Sequence, residues 1–405
     1  MSRPHAAVPD RSAPGADAAG RGPLPRLLGL SWAHLLNDGA SNYLPGVLPA
    51  VLVTLGEPVR MAGVLVTALV IGQALQPVTG WLADRLGGRS LVLLGLFATS
   101  AGGGLLGLAH ATWLLIVLLL VVGIGNSFFH PQALAGVRSM LAGQQGLLTS
   151  VFLVGGELGR GLWPTVASLI VSHAGLENLW IIALPGLATV PFLLRAVPAL
   201  PSKPPSKPRQ DTAVRLREHA RPVLLLVGYQ GIRTVTIYSF VTFIPILWHA
   251  RGGGLVTGAS IITTMTVVGI VGNLAGGHLT DRVGRRPVLV VSALASAVLI
   301  VPVAYLGGVW VWIIAGLLGI ALFLTASTTV LLGQDIFPEN RSMGSGIALG
   351  FANGLGALLV FIVGLGLGEH VVTVFWVLAG LGVASALLTL PFDAALMRTP
   401  RTGNT

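Results

Sequence analysis

The stretch Gly80-Trp81-Leu82-Ala83-Asp84-Arg85-Leu86-Gly87-Gly88-Arg89 returns later in the chain as Gly277-His278-Leu279-Thr280-Asp281-Arg282-Val283-Gly284-Arg285-Arg286. Each copy is a short charged loop between two apolar runs long enough to cross a bilayer, and the copies stand about half a chain apart. A membrane bundle written twice follows from that spacing. Duplicated halves are how many carriers build a site that can face either side of a membrane in turn. The repeated residues are Gly80, Asp84, Arg85 and Arg89 in the first copy and Gly277, Asp281, Arg282, Arg285 and Arg286 in the second. The glycine lets helices approach, the aspartate can accept hydrogen bonds from a facing helix N-terminus or an arginine, and the arginines meet a charged membrane face. These residues predict a conformational latch. Anchoring by positive charge accounts for the arginines but not for two aspartates in register.

Outward from the loops, composition decides the solvent. The 405 residues are 53% hydrophobic and 9% charged, with a mean hydropathy of +0.83, which excludes a soluble domain. In hydrocarbon every backbone group must be bonded within its own segment. Runs rich in Leu, Val, Ala and Gly without polar alternation therefore predict helices and not barrel strands. Twelve spans are expected, at 27–55, 62–83, 90–109, 112–136, 145–172, 177–196, 222–248, 257–280, 287–306, 309–333, 342–367 and 371–396. The fold class is thus an all-α membrane protein of twelve transmembrane helices in two pseudo-symmetric six-helix halves, 27–196 and 222–396. Residues 1–26 and 397–405 read as polar tails. Residues 197–221, with the run Pro201-Ser-Lys-Pro-Pro-Ser-Lys-Pro208, read as an extended linker.

The formal charge of +10 belongs to topology. No basic stripe alternates with aromatics, so nucleic acid is not an expected partner. Placed on the twelve spans, all but four of the 24 Lys and Arg residues fall on one side, together with both termini. Arg60 and Arg251 fall on the other side, and Arg160 and Arg233 fall inside spans. The positive-inside rule then predicts a multi-pass protein of the plasma membrane, in a bacterium the inner membrane, with both ends in the cytoplasm. The absence of cysteine removes disulfides and thiolate chemistry. No Gly-x-x-x-x-Gly-Lys loop is present to hold ATP, so a secondary carrier is expected, monomeric and without cofactor or metal.

The paired Gly-x-x-x-Asp-Arg-x-Gly-x-Arg loops, after the second and eighth of twelve spans, resemble the signature loop of the major facilitator superfamily. A second likeness between the halves is Gly155-Gly-Glu-Leu-Gly159-Arg-Gly161 in the fifth span against Gly350-Phe-Ala-Asn-Gly354-Leu-Gly356 in the eleventh. A narrower resemblance lies in His34-Leu-Leu-Asn37-Asp38, Phe129-His130-Pro131 and Ser150-Val-Phe-Leu-Val-Gly155-Gly156, which are similar to the fosmidomycin-resistance type of efflux transporter. That resemblance implies proton-driven export of a small organic compound or drug. Glu157, Arg160 and Trp163 stand where the pattern carries small or amide residues.

Ionisable groups at membrane depth cost roughly 2.5–3.5 kcal/mol each on insertion scales, so each needs a partner or a task. His34 and Asp38 are four apart on one helix face, and His130 can join them if the first and fourth spans face one cavity. These three, with Glu157, are the proton-coupling candidates. Glu157 and Arg160, three apart, are expected to pair as a gate. Arg233 has no acid within one turn, so it must reach Asp38, Glu157, a carbonyl or a ligand, and it is expected to be freer than Arg160 to meet a substrate. Asn37, Asn42, Tyr43, Gln73, Arg160, Trp163, Arg233 and Tyr238 are the substrate-binding candidates. Interior arginines and histidines outnumber interior acids, which favours an anionic or zwitterionic substrate. Other readings stay open: an importer of a small organic anion or a non-transporting sensor on the same fold, and a membrane enzyme with a metal on His34, Asp38 and His130; in a carrier, sodium at Asp38 and Asn37 could replace the proton. Pro131 is expected to break its helix locally, and Asp335 and Glu339 to cap the eleventh span near Ser342.

Overall fold

The computed structural model describes residues 23–76, 78–79, 82, 89–138, 145–196, 217, 219–337, 344, 347–348, 352–367 and 369–397. The latch residues Gly80, Asp84 and Arg85, the proposed cap Glu339 with Ser342, and most of the tails and linker lie outside them. Among the described residues every regular element is a helix. In chain order these are α1 (Pro23–Asn42), α2 (Leu44–Leu55), α3 (Met61–Gln73), α4 (Ser90–Leu105), α5 (Thr112–Arg138), α6 (Gln145–Ala174) and α7 (Ala183–Ala196). There follow α8 (Ala220–Ala250), α9 (Leu255–Val283), α10 (Arg285–Val303), α11 (Trp310–Phe323), α12 (Ala326–Ile336), α13 (Ala352–Leu367), α14 (Val371–Leu388) and the short α15 (Ala394–Met397).

Eight stretches among these are long and apolar enough to cross a bilayer by themselves, and they coincide with the third, fourth, sixth to tenth and twelfth expected spans. The other four depart for visible reasons. The first span is not one helix: the chain breaks at Tyr43, and Pro45, which needs no N–H partner in a first turn, starts α2. α3 is short before the described residues end, α6 carries Glu157 and Arg160, and α13 begins only at Ala352. The tenth expected span is likewise split, at Leu324 and Thr325 between α11 and α12. Pro131, by contrast, does not break α5, which runs unbroken from Thr112 to Arg138. The carbonyl freed by its ring belongs to Ser127, and Thr79 Oγ1 donates to it at 2.6 Å, so the lost backbone bond is replaced from the neighbouring span.

Packing repeats with a six-span shift. In the first half α1 lies along α6, α3 along α5, and α4 along α5 and α7; in the second half α8 lies along α13, α9 along α11, and α10 along α11 and α14. Between the halves, α6 meets α9 and α3 meets α13, two contacts that the same shift interchanges, and α2 meets α8 and α9. Close approach at one crossing needs glycine on both sides. A Cβ on Gly63 would stand 3.0 Å from the Gly364 Cα and 3.1 Å from the Val360 carbonyl oxygen.

The buried apolar residues divide unequally. One cluster joins both halves and holds Val47, Leu48 and Val51 of α2, Leu65 and Leu69 of α3, Phe240 and Phe243 of α8, Ile261 and Met265 of α9, and Val360 of α13. All of it lies toward the end opposite the charged motif loops. At the motif-loop end there are two separate clusters, one around Leu30, Leu96, Phe129 and Phe152 and one around Tyr229, Leu289, Ile336 and Phe392. Among the described residues the bundle is therefore closed at one end and divided at the other. Large apolar side chains such as Trp113, Val298 and Leu224 stay exposed on the outside, as a hydrocarbon solvent allows.

The second motif copy is engaged with its own half. Arg285, buried, pairs with Asp335 and donates to the Leu396 carbonyl at 2.7 Å. Arg286 donates to the Phe392 carbonyl at 2.8 Å, and Arg221 to that of Pro391 at 3.1 Å. Asp335 is thus an ion-pair partner, because the buried Arg285 guanidinium requires an anion; the start of the eleventh span, its expected place as a cap, lies outside the described residues. Asp281 and Arg282 are exposed at the end of α9, and Gly277 is partly buried there.

Candidate functional site

The site begins with glycines. Gly155, Gly156 and Gly159 of α6 face α1 so closely that added Cβ atoms would fall on the carbonyls of Ser31 and Leu35 and, at Gly156, on the His34 ring. Missing side chains on α6 are what make room for charged ones on α1. His34 lies flat against Phe152, with ring centroids 4.1 Å apart, and close to Phe129 at 5.8 Å.

Around Asp38, 1% exposed, the expected cluster is assembled. His34 Nε2 lies 3.3 Å from Oδ2 and His130 Nε2 3.2 Å from Oδ1, and the two Nε2 atoms are 3.1 Å apart. The other ring nitrogens are occupied: His34 Nδ1 is 2.7 Å from the Phe152 carbonyl and His130 Nδ1 2.9 Å from that of Asn126. A carbonyl only accepts, so each Nδ1 carries a proton. Two Nε2 atoms and a carboxylate then converge with no proton to share unless the cluster binds at least one more. The remaining neighbours of Asp38 are also donors. Asn37 Nδ2 and Asn126 Nδ2 each lie 3.2 Å from Oδ1, and Arg160 Nη1 is 3.6 Å from Oδ2. Asn37 is held in turn by Thr99, whose hydroxyl donates to its Oδ1 at 3.0 Å.

The expected Glu157–Arg160 pair is not formed. Arg160, its side chain 45% exposed, turns to Asp38. Glu157, 6% exposed, turns the other way and accepts from Asn273 Nδ2 of α9, in the other half, at 2.8 Å. Its second oxygen, Oε2, is buried and meets no donor among the described residues. Two side chains three positions apart point to different partners because Asp38 already gathers cations on the α1 side. Arg233 is likewise not the freer arginine: Nε donates to Gln230 Oε1 at 3.1 Å and Nη1 to the Leu322 carbonyl at 3.0 Å. That carbonyl lies at the end of α11, where the chain breaks before α12.

The other substrate candidates separate. Tyr43 is fully buried and donates to the Gly103 carbonyl at 2.6 Å, which makes it a strut between spans. Asn42 donates to the Asp38 carbonyl and to Ser41 Oγ, both at 2.9 Å. Trp163 and Tyr238 are partly buried, Tyr238 within electrostatic reach of Arg160, Asp38 and Arg233. The buried Trp163 Nε1 and Gln230 Nε2 donate to nothing among the described residues. Gln73 is partly buried on α3, and no described contact brings it to the cluster. Sequence reading missed the Phe152 carbonyl, which no residue type announces, and the tasks of Asn126, Gln230 and Asn273, whose uncharged side chains carry no signal of their partners.

His34, Asp38 and His130 offer ligand atoms within 4.8 Å of one another, near enough to share a metal ion. The Arg160 guanidinium beside the same carboxylate opposes a dication there.

Comparison with known proteins agrees with this architecture. The chain is 28% identical over 351 residues to the uncharacterized MFS-type transporter YfnC of Bacillus subtilis, covering 82% of this chain and 84% of that one. It is 27% identical over 347 residues to the fosmidomycin resistance protein of Escherichia coli, covering 83% and 84%. In fold it resembles a mutant form of the nucleoside transporter NupG (TM-score 0.75, 16% identity, 92% of this chain and 100% of that one) and a D-xylose-proton symporter (TM-score 0.74, 16% identity, 92% and 98%). The profile of the Major Facilitator Superfamily matches residues 30–360 and again 234–404, so that together the two matches run from the first span to the last. The two matches together span the duplicated helical bundle, and the chain belongs to the Major Facilitator Superfamily.

Proposed function

We propose that this transporter is a proton-coupled exporter of a small organic compound bearing an acidic group, and that it works by rocking residues 27–196 against 222–396. The observation that carries the proton is the convergence of His34 Nε2, His130 Nε2 and the Asp38 carboxylate, each ring fixed by a carbonyl behind it. Such a cluster is stable only with an added proton and can release it when a neighbour moves. The acidic group on the substrate is supported by Arg160, a half-exposed cation where the bundle divides. Alternating access is supported by a core joined at one end and split at the other. With the positive-inside orientation the split end faces the cytoplasm, which is the side from which an exporter loads. Export is the direction suggested by the name of the fosmidomycin resistance protein.

Everted membrane vesicles test this reading directly. With an imposed pH gradient and a panel of acidic, neutral and cationic compounds, acidic members should accumulate inside, and a proton ionophore should abolish the accumulation. Accumulation that survives the ionophore, or that occurs only in right-side-out vesicles, overturns coupling or direction respectively.

A further inference from the structure

We propose that Arg160 is shared in turn by two carboxylates, Asp38 of the first span and Glu157 of its own helix, and that its crossing from one to the other undoes the Glu157–Asn273 hydrogen bond that joins the halves. The inference rests on the proton reading above and names the part that converts protonation into movement.

Three features of the structure lead to it. Arg160 is loosely held: its Nη1 stands 3.6 Å from Asp38 Oδ2, longer than a hydrogen bond, on a side chain 45% exposed. Glu157 lies three positions earlier on α6, within electrostatic reach of Arg160, and keeps one buried oxygen without a donor among the described residues. Its other oxygen is the acceptor of a contact that crosses from one half to the other, from Asn273 at 2.8 Å. A buried carboxylate with one hydrogen bond is a standing acceptor for a guanidinium.

While Asp38 is an anion it keeps Arg160. A proton added to the cluster, from the solvent, lies between the imidazoles and the carboxylate and removes the pull of Asp38 on Arg160. The nearest anion with an open position is then Glu157. A guanidinium is a two-pronged donor, so its arrival at Oε2 also competes for Oε1, and the amide of Asn273 is displaced. The α6–α9 contact that remains, Thr165 with Thr263 at 2.6 Å and Thr263 with the Gly161 carbonyl at 2.6 Å, lies nearer the closed end. One net proton thus changes whether the halves are tied at mid-bundle.

The charged and titratable groups facing this exchange are few. Asp38 and His34 come from α1, His130 from α5, and Arg233 and Tyr238 from α8. Arg233 does not substitute for Arg160, because its fork is engaged by Gln230 and the Leu322 carbonyl.

Spin labels give the test, since the chain has no cysteine of its own. Labels at Leu24→Cys and Leu224→Cys, both exposed at the motif-loop ends of α1 and α8, report the distance across the divided end. In the full protein in lipid nanodiscs that distance should shift between about pH 8 and about pH 5, the range in which imidazoles titrate. Glu157→Gln keeps an oxygen for Asn273 but removes the charge that attracts Arg160; it should cut the pH response at least about tenfold in the equilibrium constant. Asn273→Ala removes the tie in both protonation states, so it should hold the distance near its acid-form value at every pH and flatten the response as well. A wild-type distance blind to pH overturns the proton reading and this inference together. A wild-type response reproduced in full by Glu157→Gln overturns the hand-over alone, as does a full wild-type response in Asn273→Ala.

Discussion

Asp38 is surrounded by two imidazoles, two amides and a guanidinium, and this crowding of donors on one buried carboxylate sets what its replacement does. Asp38→Asn keeps the shape but strands the histidines without an anion. Gradient-driven accumulation should fall at least about tenfold, or about 1.4 kcal/mol in driving force, while substrate exchange without a gradient persists. Flux in vesicles with and without an imposed gradient separates the two. The two interior arginines should part company in the same way as their geometry. Arg160→Gln should weaken selectivity for acidic compounds in a competition assay while leaving thermal stability near that of the wild type. Arg233→Lys cannot reach both Gln230 and the Leu322 carbonyl, and should lower stability by about 1–2 kcal/mol, read as a drop in melting temperature in detergent. A selectivity change from Arg233→Lys without a stability loss would reverse these assignments. The sequence allowed the cluster of His34, Asp38 and His130 to be read, because four-residue spacing and the expense of charge in lipid both point to it. It misplaced the partners of Glu157 and Arg160 and overrated the freedom of Arg233, for which a carbonyl was one of the expected partners. Spacing on a helix says which residues can meet, whereas here neighbours from α1, α9 and α11 prevail over the local option.

At the scale of helices, glycine decides how close two cylinders come and therefore where polar side chains fit. A methyl group at Gly156 would land on the His34 ring, so Gly156→Ala should disturb the cluster and reduce coupled transport without preventing insertion. Activity equal to the wild type would mean that α1 and α6 can separate freely. Gly63 and Gly364 hold α3 against α13 at the closed end. Gly63→Leu should drive that end apart, and a cysteine placed at Leu52, buried in the cluster that closes it, should become reactive to a membrane-impermeant reagent added outside. Span positions were largely legible in the apolar runs. Breaks at Tyr43 and at Leu324–Thr325 were not: proline follows the first but also sits inside unbroken spans, as Pro131, Pro164 and Pro245 do, and the second carries no local signal. Pro131 misled in the opposite direction, because the hydroxyl of Thr79 that repairs its helix comes from another span.

For the whole molecule, the repeat of the charged loop foretold the repeat of the packing, and the six-span shift that relates one half to the other is visible in the most extensive helix pairs. What no repeat could reveal is which end is shut. The shut end is also the more apolar one, with Val47, Leu48, Phe240 and Phe243 buried in a single cluster drawn from both halves. To turn the site toward the opposite face, the molecule must part that cluster and let water enter between its walls. Wetting apolar surface raises heat capacity, by about 0.45 cal/mol/K for each Å² exposed. The balance between the two forms should therefore follow a curved van 't Hoff plot, with a temperature at which the closed end is most tightly sealed and a drift toward opening on either side of it. Distances between labels at Val53→Cys and Val309→Cys, followed from cold to warm in one lipid, would trace that curve; a straight line would mean that lipid or side-chain repacking, and not water, fills the parted seam.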